Sequence, residues 1–225
     1  MIETIDIRAL ANPITESQFE QLCAQNRDTK FEMTSQGKLI VMSPTGSESG
    51  RQNADLLTQI SIWNRQTKLG VVFDSSTGFT LPNSAKRSPD VSWIKKCRWD
   101  KLTMEQKRKF APIAPDFVLE LLSPNDRLLD VQSKMMSDPA SRELEFAAVR
   151  SERRGSPEPG ARERAKMKEY QESGVKLGWL IYPDEKRVEI YRLGKDVEVI
   201  ISPPSLSGED LMPELIVELD EVFTS

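Results

Sequence analysis

The feature that most constrains the fold is an apolar run with one acid inside it. Residues 117–122 are FVLELL, so every position except Glu120 is apolar. A strand that is covered on both faces of a sheet has this nearly continuous pattern, whereas a strand with one exposed face alternates. An unpaired carboxylate costs several kcal/mol inside such a strand, so we expect a cation or a metal ion as the partner of Glu120.

The surrounding sequence predicts a single domain of the α/β class. Helical spacing of apolar residues over 49–68 predicts one long helix, and Thr15 ahead of Phe19 predicts a short capped helix. Residues 211–223 predict a short strand and a closing helix. Other β-prone runs between turn residues predict further strands, at 37–42, 71–73, 78–81, 90–94, 177–182, 188–192 and 197–201. A chain of 225 residues is long enough to give one such domain its own core.

The absence of histidine limits the chemistry that this chain can perform. It excludes a Ser/His/Asp triad, a zinc site built on histidine and a histidine general base. Lys and Arg number 31 and Asp and Glu 35, for a net charge of −4. This balance disfavours a pure DNA-binding module, but it suits carboxylates that hold a divalent ion. Catalysis must then rest on carboxylates, lysine, hydroxyl groups or a hard cation.

The sequence also predicts the compartment. Residues 1–11 contain no charged and apolar leader, and no apolar run approaches the roughly 20 residues of a membrane helix. Cys23 and Cys97 follow no metal-ligand spacing and are too few to cross-link a small secreted fold. We therefore expect a cytoplasmic, soluble protein with no membrane partner.

Residues 135–166 resemble an insertion into a helix. The sequence of residues 151–160, SERRGSPEPG, cannot form a packed helix. The dipeptide Lys-Met occurs at both ends of the segment. Joining Lys134 to Met167 gives one amphipathic helix that ends before Gly174, a favourable residue after a helix. We therefore predict a flexible insertion at 135–166. The alternative is a pair of ordinary helices joined by a long loop.

Asp90 and Glu120 are candidates for a metal site. Mg²⁺ prefers oxygen ligands and usually takes one or two carboxylates together with waters and substrate oxygens. A bound divalent ion activates water for hydrolysis of a phosphodiester. If the strands that carry the two acids are neighbours in the sheet, the acids form such a pair. The alternatives are a turn-capping role for Asp90 beside Pro89, and an ion pair of Glu120 with Lys86 or Arg87.

Five short blocks, in order along the chain, carry a resemblance to a known family. They are MSPTGSESG at 42–50, DSSTGF at 74–79, SPDVSW at 88–93, APDFVLELLSP at 114–124 and GVKLGWLI at 174–181. Together they resemble the Uma-two family, a mostly cyanobacterial group, over nearly the whole chain except the predicted insertion. The resemblance implies a restriction-endonuclease-like fold, with a central mixed β-sheet flanked by helices and extra antiparallel strands. It also implies an Mg²⁺-dependent endonuclease that hydrolyses phosphodiester bonds in DNA.

The resemblance implies a PD-(D/E)xK site, which has an acid on the first helix, an Asp on one strand, an acid on the next strand and a lysine. Matched to this chain, Glu48 is the helix acid, Asp90 the aspartate and Glu120 the third carboxylate. These three residues are the expected ligands of Mg²⁺ or Mn²⁺. Glu48 has an alternative role, since an acid in the first turn of a helix also complements the helix dipole.

The lysine of this motif departs from the pattern. Leu122 occupies the position where the motif has lysine. Lys134, in the predicted helix that follows, is the expected replacement and joins Asp90 and Glu120 as a catalytic residue. Lys166 is the other candidate, and an ordinary solvated lysine is an equal alternative for Lys134.

Two other functions remain compatible with the sequence. One is a catalytically impaired nuclease fold that binds nucleic acid or a protein partner, which Leu122 and the acidic net charge favour. The other is an interaction module in which 135–166 folds on a partner. RNA as substrate and a homodimeric assembly also stay open.

Overall fold

The computed structural model describes residues 13–42, 44–122 and 160–223. Within these ranges the helices are α1 (Glu16–Gln25), α2 (Ser47–Thr67), α3 (Lys96–Trp99), α4 (Met104–Lys107), α5 (Ala161–Glu172) and α6 (Asp220–Phe223), with a 3-10 turn at Pro183–Glu185. The strands are β1 (Lys30–Met33), β2 (Leu39–Met42), β3 (Gly70–Asp74), β4 (Phe79–Thr80), β5 (Lys86–Arg87), β6 (Val91–Lys95), β7 (Phe117–Leu121), β8 (Leu177–Tyr182), β9 (Arg187–Arg192), β10 (Glu198–Ile201), β11 (Ser205–Ser207) and β12 (Ile216–Glu218). None of the described helices has the length and apolar character to cross a membrane.

The largest sheet has six strands in the order β10, β9, β8, β7, β6 and β3. β7 and β8 run parallel, and the other neighbouring strands run antiparallel. Every residue of β7 is buried, which confirms that the apolar run is a strand covered on both faces. The expected α/β fold, a central mixed sheet flanked by helices, is therefore confirmed.

Alternate residues of β7 point into two different cores. Phe117 and Leu119 belong to the core that α2 covers. Val118 belongs to the core on the other face, where it lies with Met167 and Tyr170 of α5. Since side chains alternate along a strand, Glu120 shares the α5 face with Val118. The acid of the apolar run is thus directed toward α5.

A smaller antiparallel sheet has the order β2, β1, β5 and β4, and supplies the extra strands. Phe19 of α1 packs against Phe31 and Met33 of β1. α1 begins with the predicted cap, because the Thr15 hydroxyl accepts a hydrogen bond from the backbone N–H of Gln18. This sheet places Glu32 of β1 beside Lys166, near the middle of α5.

α5 begins earlier than the predicted insertion allows. The helix begins at Ala161, and both Glu163 and Lys166 are buried on it. Residues 161–166, which the predicted flexible insertion includes, are therefore part of a packed helix. The predicted end is confirmed, since α5 ends at Glu172 and Gly174 follows with a φ of 92°. Lys134 and the rest of the predicted insertion, 135–159, lie outside the described residues.

Candidate active site

Asp90 and Glu120 meet at the end of two neighbouring strands. Val91 of β6 is opposite Leu119 of β7 in an antiparallel register, so the next residue outward on each strand places Asp90 opposite Glu120. The backbone N–H of Leu121 donates a hydrogen bond to Asp90 Oδ2 over 2.8 Å. The two strands are thus neighbours, as the predicted carboxylate pair requires, and they bring Asp90 and Glu120 together.

Both acids line a cleft of about 350 Å³ between β2, the start of α2 and the start of α5. We call it the cleft. The side chains that matter for its chemistry are Lys30, Asn53, Asp90, Glu120, Arg162 and Lys166. The cleft therefore combines carboxylates, a neutral amide and basic groups around one opening.

Among the residues that the structure describes, Lys166 is the lysine that lies beside Glu120. Its Nζ lies 2.8 Å from Glu120 Oε1 and 2.8 Å from Glu32 Oε1. It also donates a hydrogen bond to the carbonyl oxygen of Ser88 over 3.3 Å. The three N–H groups of the ammonium thus have three acceptors, which fixes its position beside Glu120.

The spacing of residues along α5 explains this arrangement. Glu163, Lys166 and Tyr170 are three or four positions apart, so they lie on the same side of the helix. The Tyr170 hydroxyl donates a hydrogen bond to Glu120 Oε1 over 3.1 Å. Leu122, at the lysine position of the motif, is buried in the core under α5. β7 therefore carries no lysine beside Glu120, and Lys166 of α5 supplies the positive charge there.

Glu32 of β1 links this site to a second cation. Arg87 Nη1 lies 3.1 Å from Glu32 Oε2, and Arg87 Nε donates to Glu169. Burial works to raise the pKa of Glu32, but the charges of Lys166 and Arg87 outweigh it and hold that pKa below its usual range. Arg87, Glu32 and Lys166 thus form a chain of alternating charges that ends at the carboxyl group of Glu120.

The pKa of Glu120 is shifted in the opposite direction from that of Glu32. Burial, assisted by the negative charges of Asp90 and Glu32, raises the pKa of Glu120 to about 8 despite the attraction of Lys166. Burial also opposes the charge of Lys166, but Glu120 and Glu32 together raise its pKa above the usual range. The site therefore stabilises a charged lysine and has an excess of carboxylate, which a further cation would relieve.

The facing carboxylates of Asp90 and Glu120 fit a Mg²⁺ or Mn²⁺ ion. Such an ion needs only one or two carboxylates when waters and substrate complete its oxygen shell. Asn53 Oδ1 is a buried oxygen at the cleft that accepts no hydrogen bond from the described residues. It suits a water molecule of a hydrated ion. In the described ranges, no three acidic or thiol side chains are grouped closely enough to hold a metal by themselves.

Glu48 lies apart from the other two predicted ligands. Its side chain is 54% exposed, and its Oε1 lies 2.7 Å from Arg51 Nη2 on the next turn of α2. Ser49 and Asn53 are the residues of α2 that line the cleft. The structure therefore brings Asp90 and Glu120 together and leaves Glu48 in an ion pair on the helix surface.

Glu32 and Tyr170 are two residues of the site that were not predicted from the sequence. Glu32 lies between Phe31 and Met33, and all three residues are buried. An acid between apolar residues was the signal that identified Glu120, and it could have identified Glu32. Tyr170 could have been found from its spacing, one helical turn after Lys166.

The chain is similar to one known family and to a solved structure. The Uma2 family model, described as "Putative restriction endonuclease", matches residues 16–137 and 155–220. The crystal structure of a "putative nuclease belonging to DUF820" from Anabaena variabilis aligns with a TM-score of 0.60 and 20% sequence identity. The alignment covers 87% of this chain and 90% of that chain, which shows the shared fold. No curated protein matches the chain.

The family match includes every residue of the site. Glu32, Asp90, Glu120 and Lys166 all lie inside the two matched ranges. The unmatched residues between these ranges, 138–154, lie inside the insertion predicted from sequence. Because the model matches most of the sequence on both sides of that gap, the chain belongs to the Uma2 family.

Proposed function

We propose that this protein is a metal-dependent endonuclease that hydrolyses phosphodiester bonds in DNA. The observation that carries the proposal is the pairing of Asp90 with Glu120, beside a lysine ammonium 2.8 Å from Glu120. A pair of carboxylates and a buried, charged lysine at one cleft suit the hydrolysis of a phosphodiester without histidine. Membership of a family described as "Putative restriction endonuclease" supports a nucleic acid as the substrate.

Asp90 and Glu120 are the proposed ligands of the metal ion. A Mg²⁺ or Mn²⁺ ion bound there supplies an activated water and neutralises charge on the reacting phosphate. Lys166 and Tyr170 both contact Oε1 of Glu120, so these contacts leave Oε2 of the carboxylate for other partners. These two contacts fix the rotation of the Glu120 carboxylate, which orients it before a substrate arrives.

Lys166 is the proposed catalytic cation. Its contact with the Ser88 carbonyl is, at 3.3 Å, the longest of its three. We expect this N–H to turn to a substrate oxygen or the attacking water, because the charged contacts with Glu120 and Glu32 are stronger. Glu32 is a positioning residue, which holds the ammonium charged and in place through the chain of charges that begins at Arg87.

A cleavage assay tests the proposal. Supercoiled plasmid is incubated with Mg²⁺ or Mn²⁺ and either the wild type or Asp90→Asn, which keeps the side-chain shape and loses the charge. We expect the variant to cut at least about 100-fold more slowly, since the ion loses a ligand. Asp100→Asn is the matched control, because Asp100 is an exposed acid that pairs with Lys96 in α3. Equal cutting by the wild type and Asp90→Asn, or no cutting by either, would overturn the proposal.

A further inference from the structure

Two basic side chains at the cleft have no part in the proposed chemistry. They are Lys30, the first residue of β1, and Arg162, in the first turn of α5. Lys30 lies two residues before Glu32, so the two side chains leave β1 on the same face. Met42 of β2 is the register partner of Lys30, and Arg162 Nη2 donates to Met42 Sδ over 3.4 Å. Lys30 and Arg162 therefore both lie next to Met42 in the wall of the cleft.

Both groups make contacts that a stronger acceptor can replace. Lys30 Nζ donates to the neutral hydroxyl of Ser75 over 2.9 Å, and the Met42 thioether is a weak acceptor for Arg162. Within 13–42, 44–122 and 160–223, neither forms an ion pair with a carboxylate. Arg51 and Arg87, by contrast, each contact a glutamate. Phosphate oxygens offer charge-assisted hydrogen bonds, which are about twice as strong as neutral ones.

The charge of the cleft gives these two residues a role. Its ionisable side chains are the acids Asp28, Asp90, Glu120 and Glu163 and the bases Lys30, Arg162 and Lys166. The formal sum is 3 − 4 = −1, and without Lys30 and Arg162 it would be 1 − 4 = −3. A cleft with that charge repels a polyanion even after it binds one divalent ion. The two basic residues bring the sum to +1 when a divalent ion is present, so they decide whether a nucleic acid is attracted.

We propose that Lys30 and Arg162 bind the phosphate backbone of a single nucleic-acid strand beside the bond to be cut. This inference rests on the proposed function and names how that site holds its substrate. The cleft has a volume of about 350 Å³, so the backbone of the strand that is cut enters it and the rest of the nucleic acid lies outside. Contacts to phosphate carry no base information, so the binding they provide is independent of sequence.

Binding rather than cleavage tests this inference. A fluorescein-labelled single-stranded DNA of about 20 nucleotides is titrated with the full chain in Ca²⁺, and anisotropy is measured between about 50 and about 200 mM salt. We expect Lys30→Ala and Arg162→Ala each to weaken binding roughly three- to tenfold at the lowest salt. Each should also reduce the slope of log affinity against log salt by about 0.7, the value for one phosphate contact with a single strand.

Two further variants separate charge from side-chain shape. Arg162→Lys keeps the positive charge and should keep most of the salt slope. Lys101→Ala removes an exposed lysine after α3, at the opposite end of β6 from Asp90, and should leave affinity and slope unchanged. Circular dichroism shows whether each variant is folded. Wild-type slopes in both alanine variants, or no binding by the wild type, would overturn the inference.

The two proposals fail in different ways. If the alanine variants change the salt slope but no protein cuts DNA with Mg²⁺ or Mn²⁺, the cleft binds nucleic acid and the endonuclease proposal fails. If the wild type cuts DNA and Asp90→Asn does not, while Lys30→Ala and Arg162→Ala bind as the wild type does, the endonuclease proposal stands. In that case the phosphate contacts are made elsewhere.

Discussion

The ammonium group of Lys166 lies 2.8 Å from Oε1 of Glu120. The contact joins α5 to the central strand β7, although the motif places its lysine two residues after the acid. Leu122 occupies that position and is buried with Met167 and Tyr170 of α5. Leu122 thus helps to pack α5 against the sheet. Because α5 lies there, its own Lys166 reaches Glu120.

Replacing Lys166 should impair both stability and catalysis. Lys166→Met leaves the buried carboxylates of Glu32 and Glu120 without their shared cation, which costs roughly 3 kcal/mol of unfolding free energy. Cleavage should fall at least about 100-fold, because a charged donor at the reacting phosphate is lost. Urea unfolding followed by circular dichroism gives the stability, and plasmid cleavage gives the activity at a temperature where the variant is folded.

A double variant separates these two effects. Glu32→Gln combined with Lys166→Met removes one of the buried charges that the single variant leaves uncompensated, so it should recover part of the stability and none of the activity. Lys134→Ala is the matched lysine control and should cut DNA as the wild type does. Loss of cutting in Lys134→Ala, with normal cutting in Lys166→Met, would assign the catalytic cation to Lys134.

Metal binding should depend on Glu120 and not on Glu48. Calorimetric titration with Mn²⁺ is expected to give the same affinity for Glu48→Ala as for the wild type, because the Glu48 side chain is exposed and paired with Arg51. Glu120→Gln should bind at least about tenfold more weakly, which corresponds to about 1.4 kcal/mol. A comparable loss in Glu48→Ala would restore the three-acid site that the resemblance implies.

Local sequence patterns predicted the parts of the fold that depend on local physics. The apolar run at β7 and the helical spacing of α2 each specify an element and the face that it buries. The same patterns predicted a strand at each acid, and the resemblance implied that Asp90 and Glu120 lie on successive strands. Glu48 was placed on the correct helix, but its direction depends on the rotation of α2 against the sheet, which periodicity alone did not resolve.

Long-range packing, which local patterns do not reveal, brings Lys166 and Glu32 to the site. Lys134 and Lys166 are each followed by methionine, so the two dipeptides offered no local basis for a choice between the lysines. Lys166 is at the site because Met167 and Tyr170 seat α5 on the sheet. Glu32 was missed because its strand has four residues, and so short a run gives a weak pattern.

Asp116, at the end of β7 away from the cleft, should make the stability of the fold depend on pH. Its carboxylate is fully buried and accepts a hydrogen bond from the backbone N–H of Lys95 over 2.9 Å. Arg98 and Lys176 form ion pairs with it at 2.9 Å and 3.0 Å. Burial opposes the negative charge, but the hydrogen bonds from Lys95, Lys176 and Arg98 hold the pKa of Asp116 below its usual range.

Because the pKa of Asp116 is lower in the folded state than the value of about 3.9 for an unfolded aspartate, its charge stabilises the fold above that value. This contribution is lost as the pH falls through the folded-state pKa. Asp116→Asn should therefore lower the unfolding free energy by about 1–3 kcal/mol near neutral pH, and the difference from the wild type should shrink below about pH 4. Urea unfolding at a series of pH values measures this difference.

Asp100→Asn, which removes an exposed partner of Lys96, should change stability by less than about 0.5 kcal/mol. A difference for Asp116→Asn that stays constant down to the acid transition would show that the buried carboxylate contributes by shape and not by charge.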